Sequence, residues 1–163
     1  MRFVLALFTA AVISAGGLFA CTTPTGTGAQ PPLPKSELVI ETGQGQVAFT
    51  VELADEPYEI QTGMMFRQTI GEDEGMLFDI GRMRVAFFWM RNTLIPLDII
   101  FIDEQGRIIN IEANATPLSE EALTPRGPAR GVLEIRGGGA AELGIASGDV
   151  VRHPIFGNGI LSN

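Results

Sequence analysis

Residues 87–103 read Phe-Phe-Trp-Met-Arg-Asn-Thr-Leu-Ile-Pro-Leu-Asp-Ile-Ile-Phe-Ile-Asp, an apolar run that carries one acidic residue, Asp98, within its final strand-like part. Side chains alternate along a strand, so Asp98 shares a face with Ile100 and Ile102, while residues 97, 99 and 101 cover the other face. Both faces are apolar, which predicts a strand buried on both sides. A carboxyl group placed there needs a partner, because burying an unpaired charge costs several kcal/mol.

Polar side chains elsewhere in the chain are candidate partners for Asp98. The candidate donors are Arg67, Arg91, Asn92 and Thr93. Glu134 stands in a comparable apolar setting, Val-Leu-Glu-Ile, which suggests a network of Arg67, Asp98 and Glu134. Such a network is either an ion cluster that fixes strand register, or a binding or catalytic site with perturbed carboxyl groups.

The remaining sequence between residues 37 and 157 also indicates short strands. Residues 46–53 alternate strictly between polar and apolar side chains, which is typical of a half-buried strand. Asp55 can cap a short helix that ends before Gly63, and the turn at 103–106 predicts a hairpin. Further strands are predicted at 38–41, 76–79, 84–90, 97–102, 107–113, 132–135 and 149–152. The pattern predicts a mainly β domain, a compact antiparallel β-barrel or sandwich with two short helices.

The N-terminus has the layout of a secretory signal peptide at residues 1–20, with Arg2 followed by an apolar run. Leu18-Phe19-Ala20-Cys21 resembles a bacterial lipobox, although Phe19 replaces the usual small residue. We therefore expect lipidation of Cys21, which makes the lipid bilayer a partner. The alternative is an uncleaved anchor, for which the run is only marginally long enough. Thr22 after the cysteine favours the inner face of the outer membrane, and thus a periplasmic location.

A flexible tether is predicted at residues 21–36, because this stretch is rich in Pro, Gly and Thr and lacks hydrophobic periodicity. A single domain follows at 37–157, with a short C-terminal tail at 158–163. The formal net charge of the chain is −8. Such a charge argues against nucleic acid as a partner.

The chain contains one cysteine and one histidine, so its ligand supply for metals is poor. We predict no cofactor and no metal site, and we expect His153 to lie at the surface. A serine protease-like triad lacks any recognisable frame, since no Gly-x-Ser-x-Gly elbow accompanies the histidine.

Several short motifs occur in an order that identifies a family resemblance. They are the Phe-Trp-Met-x-Asn-Thr-x-x-Pro-Leu-Asp block at 88–98, Gly63-Met64-Met65-Phe66-Arg67, Gly75-Met76-Leu77-Phe78, Val132-Leu133-Glu134-Ile135 and Gly148-Asp149. Together they resemble the domain of unknown function 192 family, over nearly all of residues 37–152. The resemblance implies a small, mainly β fold. It implies no activity, because the family has none established.

Trp89, the sole tryptophan, suggests a binding platform. Alternation places Phe87 and Trp89 on one face, and an aromatic surface beside Arg91 and Asn92 suits a sugar or another polar ring. The alternative is that Trp89 simply packs in the core. The leading hypothesis is non-catalytic binding of a polar small ligand or envelope glycan. The proposed ligand-binding residues are Arg67, Trp89, Arg91, Asn92, Asp98 and Glu134.

Three other functions remain open from the sequence. Asp98 and Glu134 are a possible acid and base for glycan hydrolysis, if they lie roughly 5 to 9 Å apart in an open cleft. Five methionines between residues 64 and 90 are potential thioether ligands for Cu(I) or Ag(I), although they suit core packing equally well. An exposed strand edge would instead make the domain a protein-interaction module.

Overall fold

The computed structural model describes residues 28–159. Within this range seven strands form, together with two short α-helices and one 3-10 turn at Pro154–Phe156. The strands are β1 Lys35–Thr42, β2 Gly45–Ala54, β3 Glu74–Arg84, β4 Leu97–Ile102, β5 Ile108–Ala115, β6 Ala129–Arg136 and β7 Val150–Arg152. The helices are α1 Pro57–Thr62 and α2 Gly139–Glu142. Among the described residues, no helix has the length and apolar character needed to cross a lipid bilayer.

One sheet contains all seven strands, in the order β5-β4-β6-β3-β2-β1-β7. Neighbours run antiparallel except β2 and β3, which are parallel because the chain crosses over through α1 between them. The sheet curls until its two edges meet, where Arg107 bridges Val150 and the Ile108 N–H donates to the Asp149 carbonyl over 2.9 Å. The predicted mainly β fold with two short helices is confirmed as a half-barrel, with one parallel strand pair that was not predicted.

Strand β4 is buried on both faces, as predicted, because a separate hydrophobic core covers each side of it. Ile100 and Ile102 belong to the first core, whose other large members are Leu38, Ile40, Phe49, Val51, Leu77, Leu133 and Ile135. The second core contains Leu97, Ile99, Phe101, Met64, Met76, Phe78 and Met90. The sheet is therefore covered by apolar side chains on both sides along its central strands.

The prediction of a strand at residues 84–90 is wrong. Strand β3 ends at Arg84, and after it the chain forms only an isolated bridge, between Phe88 and Leu123. The aromatic content of this segment does favour extended backbone, and Phe88 packs on the second core. A regular strand does not form because pairing with residues 119–123 is limited to the two hydrogen bonds between Phe88 and Leu123 and one from the Met90 N–H to the Ser119 carbonyl.

The predicted tether at 21–36 overlaps the folded domain. Gln30 is buried, and its side-chain amide donates to the carbonyls of Gly63 at 3.0 Å and Glu59 at 3.3 Å. Leu33 packs on the second core, and β1 begins at Lys35. Composition predicted a free linker, yet these few polar and apolar contacts fix the segment from residue 30 onward. The predicted signal peptide and Cys21 lie outside the described residues.

His153 is buried rather than at the surface. Its Nε2 atom lies 2.8 Å from the Ser36 hydroxyl, and its Nδ1 accepts a hydrogen bond from the Ile155 N–H. Burial lowers the pKa of His153, and the charge of Asp79 opposes this shift. The imidazole caps the 3-10 turn at the end of β7, so its role in the structure is to hold the C-terminal part of the domain against β1.

Candidate functional site

Two adjoining cavities lie beside the second core, between helix α1 and the segment that follows β3. The inner cavity, of about 190 Å³, is lined by Ile60, Gln61, Thr62, Gly63, Met65, Phe78, Ile80, Arg84, Ala86, Phe87, Phe88, Trp89, Thr93 and Glu134. The outer cavity, of about 230 Å³, is lined by Tyr58, Gln61, Thr62, Met65, Phe66, Trp89, Arg91 and Asn92. They share four residues, Trp89 among them, so the two together are called the Trp89 groove below.

Glu134 is the only acidic side chain among the described residues that line the groove. It projects from β6 and, by strand register, lies in a cross-strand row between Met76 on β3 and Ile99 on β4. The residue is only 5% exposed, and its carboxyl group forms no hydrogen bond within residues 28–159. Its oxygens are nevertheless not among the fully buried, unpartnered side-chain atoms of that range, which are Gln30 Oε1, Arg67 Nε and Arg136 Nε. Burial raises the pKa of Glu134 to about 8, although the positive charge of Arg67 opposes the rise. Glu134 is therefore mostly protonated at neutral pH, and a protonated carboxyl group both donates and accepts hydrogen bonds.

Gly63 makes room for the Glu134 side chain at the end of helix α1. Its backbone has φ +48°, a left-handed value that glycine adopts without a Cβ clash. A Cβ atom at this position would lie 3.2 Å from the Phe78 ring and 4.0 Å from Glu134 Oε2. The glycine therefore lets α1 approach the sheet closely and form one wall of the inner cavity.

Arg67 does not bind Asp98. Its guanidinium forms a two-pronged ion pair with Glu52 on β2, in which both N–H···O distances are 2.7 Å. Glu52 also accepts a hydrogen bond from the Leu33 backbone N–H at 2.9 Å. Glu52 is the next member of the cross-strand row that contains Met76 and Glu134, so the charge of Arg67 acts on Glu134 from behind the groove.

Trp89, Arg91 and Asn92 come together, as the sequence predicted, on the wall of the outer cavity. Trp89 is 37% exposed and is not a core residue. The Arg91 guanidinium lies 5.4 Å from the Trp89 ring centroid, which is a cation–π distance. Asn92 adopts a left-handed backbone conformation with φ +57°. Its carbonyl accepts a 2.8 Å hydrogen bond from the Phe66 N–H, which joins the turn that contains Asn92 to the turn that contains Phe66.

Asp98 lies outside the groove, and the predicted network of Arg67, Asp98 and Glu134 does not form. The Asp98 carboxylate is fully buried and accepts three backbone hydrogen bonds, from the N–H groups of Asn114 at 2.6 Å, Gly138 at 2.9 Å and Ala140 at 2.8 Å. Two of these donors come from the glycine-rich stretch that begins α2. Backbone N–H groups at the start of a helix can bind an anion, and here they bind the protein's own carboxylate.

The strand register also contradicts the hydrolase hypothesis that pairs Asp98 with Glu134. Asp98 lies opposite Ile135, and Glu134 lies opposite Ile99. Neighbouring positions along a strand point to opposite faces of the sheet, so the two carboxyl groups are separated by the sheet itself. They cannot flank one glycosidic bond.

The five methionines are divided among different environments. Met64, Met76 and Met90 are buried in the second core, Met65 lines the groove and Met83 is exposed on β3. Three of the five thus fill apolar space, as the packing interpretation predicted. Among residues 28–159, no group of three or more His, Cys, Asp or Glu side chains is arranged to hold a metal ion.

Sequence reasoning missed Tyr58, Gln61, Thr62 and Arg84, which complete the walls of the groove. Tyr58 and Phe87, like Trp89, are exposed aromatic residues, and all three line the groove. The helix signal at residues 55–61 was visible, but no sequence pattern shows that this helix packs beside residues 84–89.

Comparisons with known proteins place this architecture in a family without assigned activity. A solved structure of a protein from Sinorhizobium meliloti 1021, proposed to be a transcription regulator, has 37% identity and a TM-score of 0.74, covering 77% of this chain and 98% of that one. A protein of unknown function from Novosphingobium aromaticivorans DSM 12444 has 43% identity and a TM-score of 0.74, covering 79% of this chain and 94% of that one. A search of curated proteins finds no match. The profile of the DUF192 family, described as "Uncharacterized ACR", matches residues 38–153, and the chain therefore belongs to that family.

Proposed function

We propose that this domain binds a small polar ligand with a flat or ring-shaped face in the Trp89 groove, without catalysing a reaction on it. One observation carries the proposal: the Glu134 carboxyl group lines the inner cavity in an almost fully buried position, where burial raises its pKa to about 8. Hydrogen bonds are stronger in such a site of low polarity than in water, so a ligand that pairs with this carboxyl group would gain free energy. Perturbed carboxyl groups in cavities are a recognised indicator of binding sites.

The groove offers complementary contacts to such a ligand. The exposed face of Trp89 can stack on a ring, while Glu134 and the Thr93 hydroxyl can bind its polar edge. Each cavity is smaller than the roughly 300 to 1,000 Å³ of a drug-sized site. The size therefore favours a ligand of one or two rings, such as a unit of an envelope glycan.

The localisation belongs to the same proposal. The signal-like residues 1–20 and the lipobox-like Cys21 support an exported domain held at the membrane by lipid, with the groove facing periplasmic glycans. Nucleic acid is not the proposed ligand, since a chain with net charge −8 is repelled by phosphate backbones.

Changing Cys21 to Ser is expected to remove a lipid mass from the protein, because serine cannot accept a thioether-linked lipid. Intact-mass measurement of the membrane fraction tests this, with Thr22→Ser as the matched control. A parent protein that carries no lipid mass and retains residues 1–20 would instead favour an uncleaved N-terminal anchor.

The ligand itself can be sought with the full chain and a panel of peptidoglycan fragments, oligosaccharides and small organic acids. A ligand at one hundred times its dissociation constant raises the free energy of unfolding by about 2.7 kcal/mol, which thermal unfolding detects. For any ligand found, we expect Trp89→Ala and Glu134→Met each to weaken binding by about tenfold or more, a loss of at least ~1.4 kcal/mol. Leu118→Ala is the matched control, because Leu118 is exposed but does not line the groove.

Either of two results would contradict the proposal. One is a ligand whose affinity is unchanged in both Trp89→Ala and Glu134→Met. The other is the absence of any thermal shift across the panel at millimolar concentration.

A further inference from the structure

The segment that follows β3 is an extended piece of chain with one exposed side. Exposure alternates along it: Val85 is 64% exposed, Phe87 70% and Trp89 37%, whereas the residues between them are partly buried and Met90 is buried. A period of two is the signature of extended backbone. The segment therefore has the side-chain geometry of a strand, although it lies outside the sheet.

The backbone hydrogen bonds of this segment all point in one direction. Phe88 exchanges two 2.9 Å hydrogen bonds with Leu123, and the Met90 N–H donates to the Ser119 carbonyl over 2.9 Å. In an extended chain the polar groups of the intervening residues face the opposite edge. Consistent with this, the backbone groups of Phe87 and Trp89 have no hydrogen-bond partner among residues 28–159. Residues 85–89 thus present an open strand edge.

The edge borders the inner cavity, which residues 86–89 line on one side and residues 60–63 of the α1 end line on another. A strand added to an edge lies about 4.8 Å from its neighbour and gains backbone hydrogen bonds at every second residue.

The charge around the edge favours one kind of added strand. Arg82 and Arg84 precede residues 85–89 and form no salt bridge among the described residues, whereas Arg91 pairs with Glu120 at 3.7 Å. This concentration of positive charge occurs in a chain whose net charge is −8. Pairing of the edge with a second copy of itself would bring like-charged arginines together, which disfavours self-association.

We infer that residues 85–89 bind an extended acidic peptide segment of a partner protein, which adds as a strand along this edge. The inference does not rest on the small-ligand proposal, because it uses the backbone of Phe87 and Trp89 and the flanking arginines rather than the Glu134 carboxyl group.

A blocked hexapeptide of alternating glutamate and valine is the probe. Trp89 is the only tryptophan, so its fluorescence in the full chain reports on the edge directly. The control is the same hexapeptide with lysine in place of each glutamate. We expect the glutamate-valine peptide to bind at least tenfold more tightly than this lysine-valine peptide. The glutamate-valine peptide methylated on every backbone nitrogen should lose binding, because it cannot donate strand hydrogen bonds.

Variants of the edge distinguish strand addition from simple charge attraction. Phe87→Pro removes one edge N–H, and we expect a tenfold or greater loss of peptide binding, compared with a smaller loss for Phe87→Ala. Arg84→Glu should also weaken binding, whereas Arg126→Glu, on an exposed residue outside the groove, should not. Thermal unfolding of each variant confirms that it is folded.

Three outcomes would overturn the inference. They are equal binding of the methylated and unmethylated peptides, no binding of the glutamate-valine peptide at millimolar concentration, and loss of peptide binding in Glu134→Met with full binding in Phe87→Pro. The last result would mean that the Glu134 carboxyl group, and not the backbone edge, holds the peptide.

Discussion

Replacing Asp98 with alanine is expected to lower the free energy of unfolding by about 3 kcal/mol or more. The substitution removes the acceptor for three backbone N–H groups, those of Asn114, Gly138 and Ala140, in a fully buried position. Each buried donor left without a partner costs about 1 to 3 kcal/mol, and the missing side-chain atoms leave a cavity as well. Urea unfolding of the variant and its parent measures the difference.

Asp103→Ala is the matched control for this prediction. Asp103 also accepts two backbone hydrogen bonds, from Gln105 at 2.9 Å and Arg107 at 2.8 Å, but it does so in an exposed turn. Water can replace its oxygen atoms, so we expect a loss of about 1 kcal/mol. Equal losses for Asp98→Ala and Asp103→Ala would show that the Asp98 site is accessible to water.

The second large effect concerns pH and Glu134. Its raised pKa, about 8, means that the folded protein keeps a proton that the unfolded chain releases near its ordinary value. Stability from this group is fully present at low pH and is lost as the pH rises from about 4.5 toward 8, with a slope of up to about 1.4 kcal/mol per pH unit. Glu134→Gln has no such proton to lose. We therefore expect the variant to become progressively more stable than its parent as the pH rises through this range.

Measuring unfolding of both proteins between pH 5 and pH 8 isolates the contribution of Glu134, because other groups titrate alike in the two. His153, whose pKa is lowered by burial, acts in the opposite direction: it removes stability as the pH falls below its ordinary value. Its contribution cancels in the difference. A difference that does not change with pH would mean that Glu134 is ionised in the folded protein and has a partner for its charge.

The sequence predicted the mainly β fold because its signals were local. Alternation identified residues 46–53 as a strand, and apolar character on both faces of residues 97–102 predicted a buried one. The 84–90 segment was also apolar and aromatic, but whether a segment joins a sheet depends on which other chain segments lie beside it. The parallel pairing of β2 with β3 escaped prediction for the same reason.

Sequence reasoning recognised that Asp98 needed donors, but it considered only side chains. The actual donors are backbone N–H groups, which every residue possesses and no sequence pattern singles out. Two of these donors lie in or beside the glycine run at 137–139, and their pairing with a carboxylate some forty residues earlier depends on the β4–β6 register. Trp89, Arg91 and Asn92 were predicted together because they are neighbours in the chain. The wall that α1 contributes required tertiary structure.

Gln30 attaches the N-terminal part of the described chain to the wall of the groove. Its side-chain amide is bound to the carbonyls of Glu59 and Gly63, and Gly63 lines the inner cavity. A pull applied through the N-terminal side of the chain would load these two hydrogen bonds first, at the wall of the groove. A bulky fusion placed upstream of residue 28 would join the chain within a few residues of Gln30, which holds the Gly63 wall, whereas one placed after Gly159 would start among residues that do not line the groove. Immobilisation through the C-terminal side therefore avoids loading the wall that Gln30 holds.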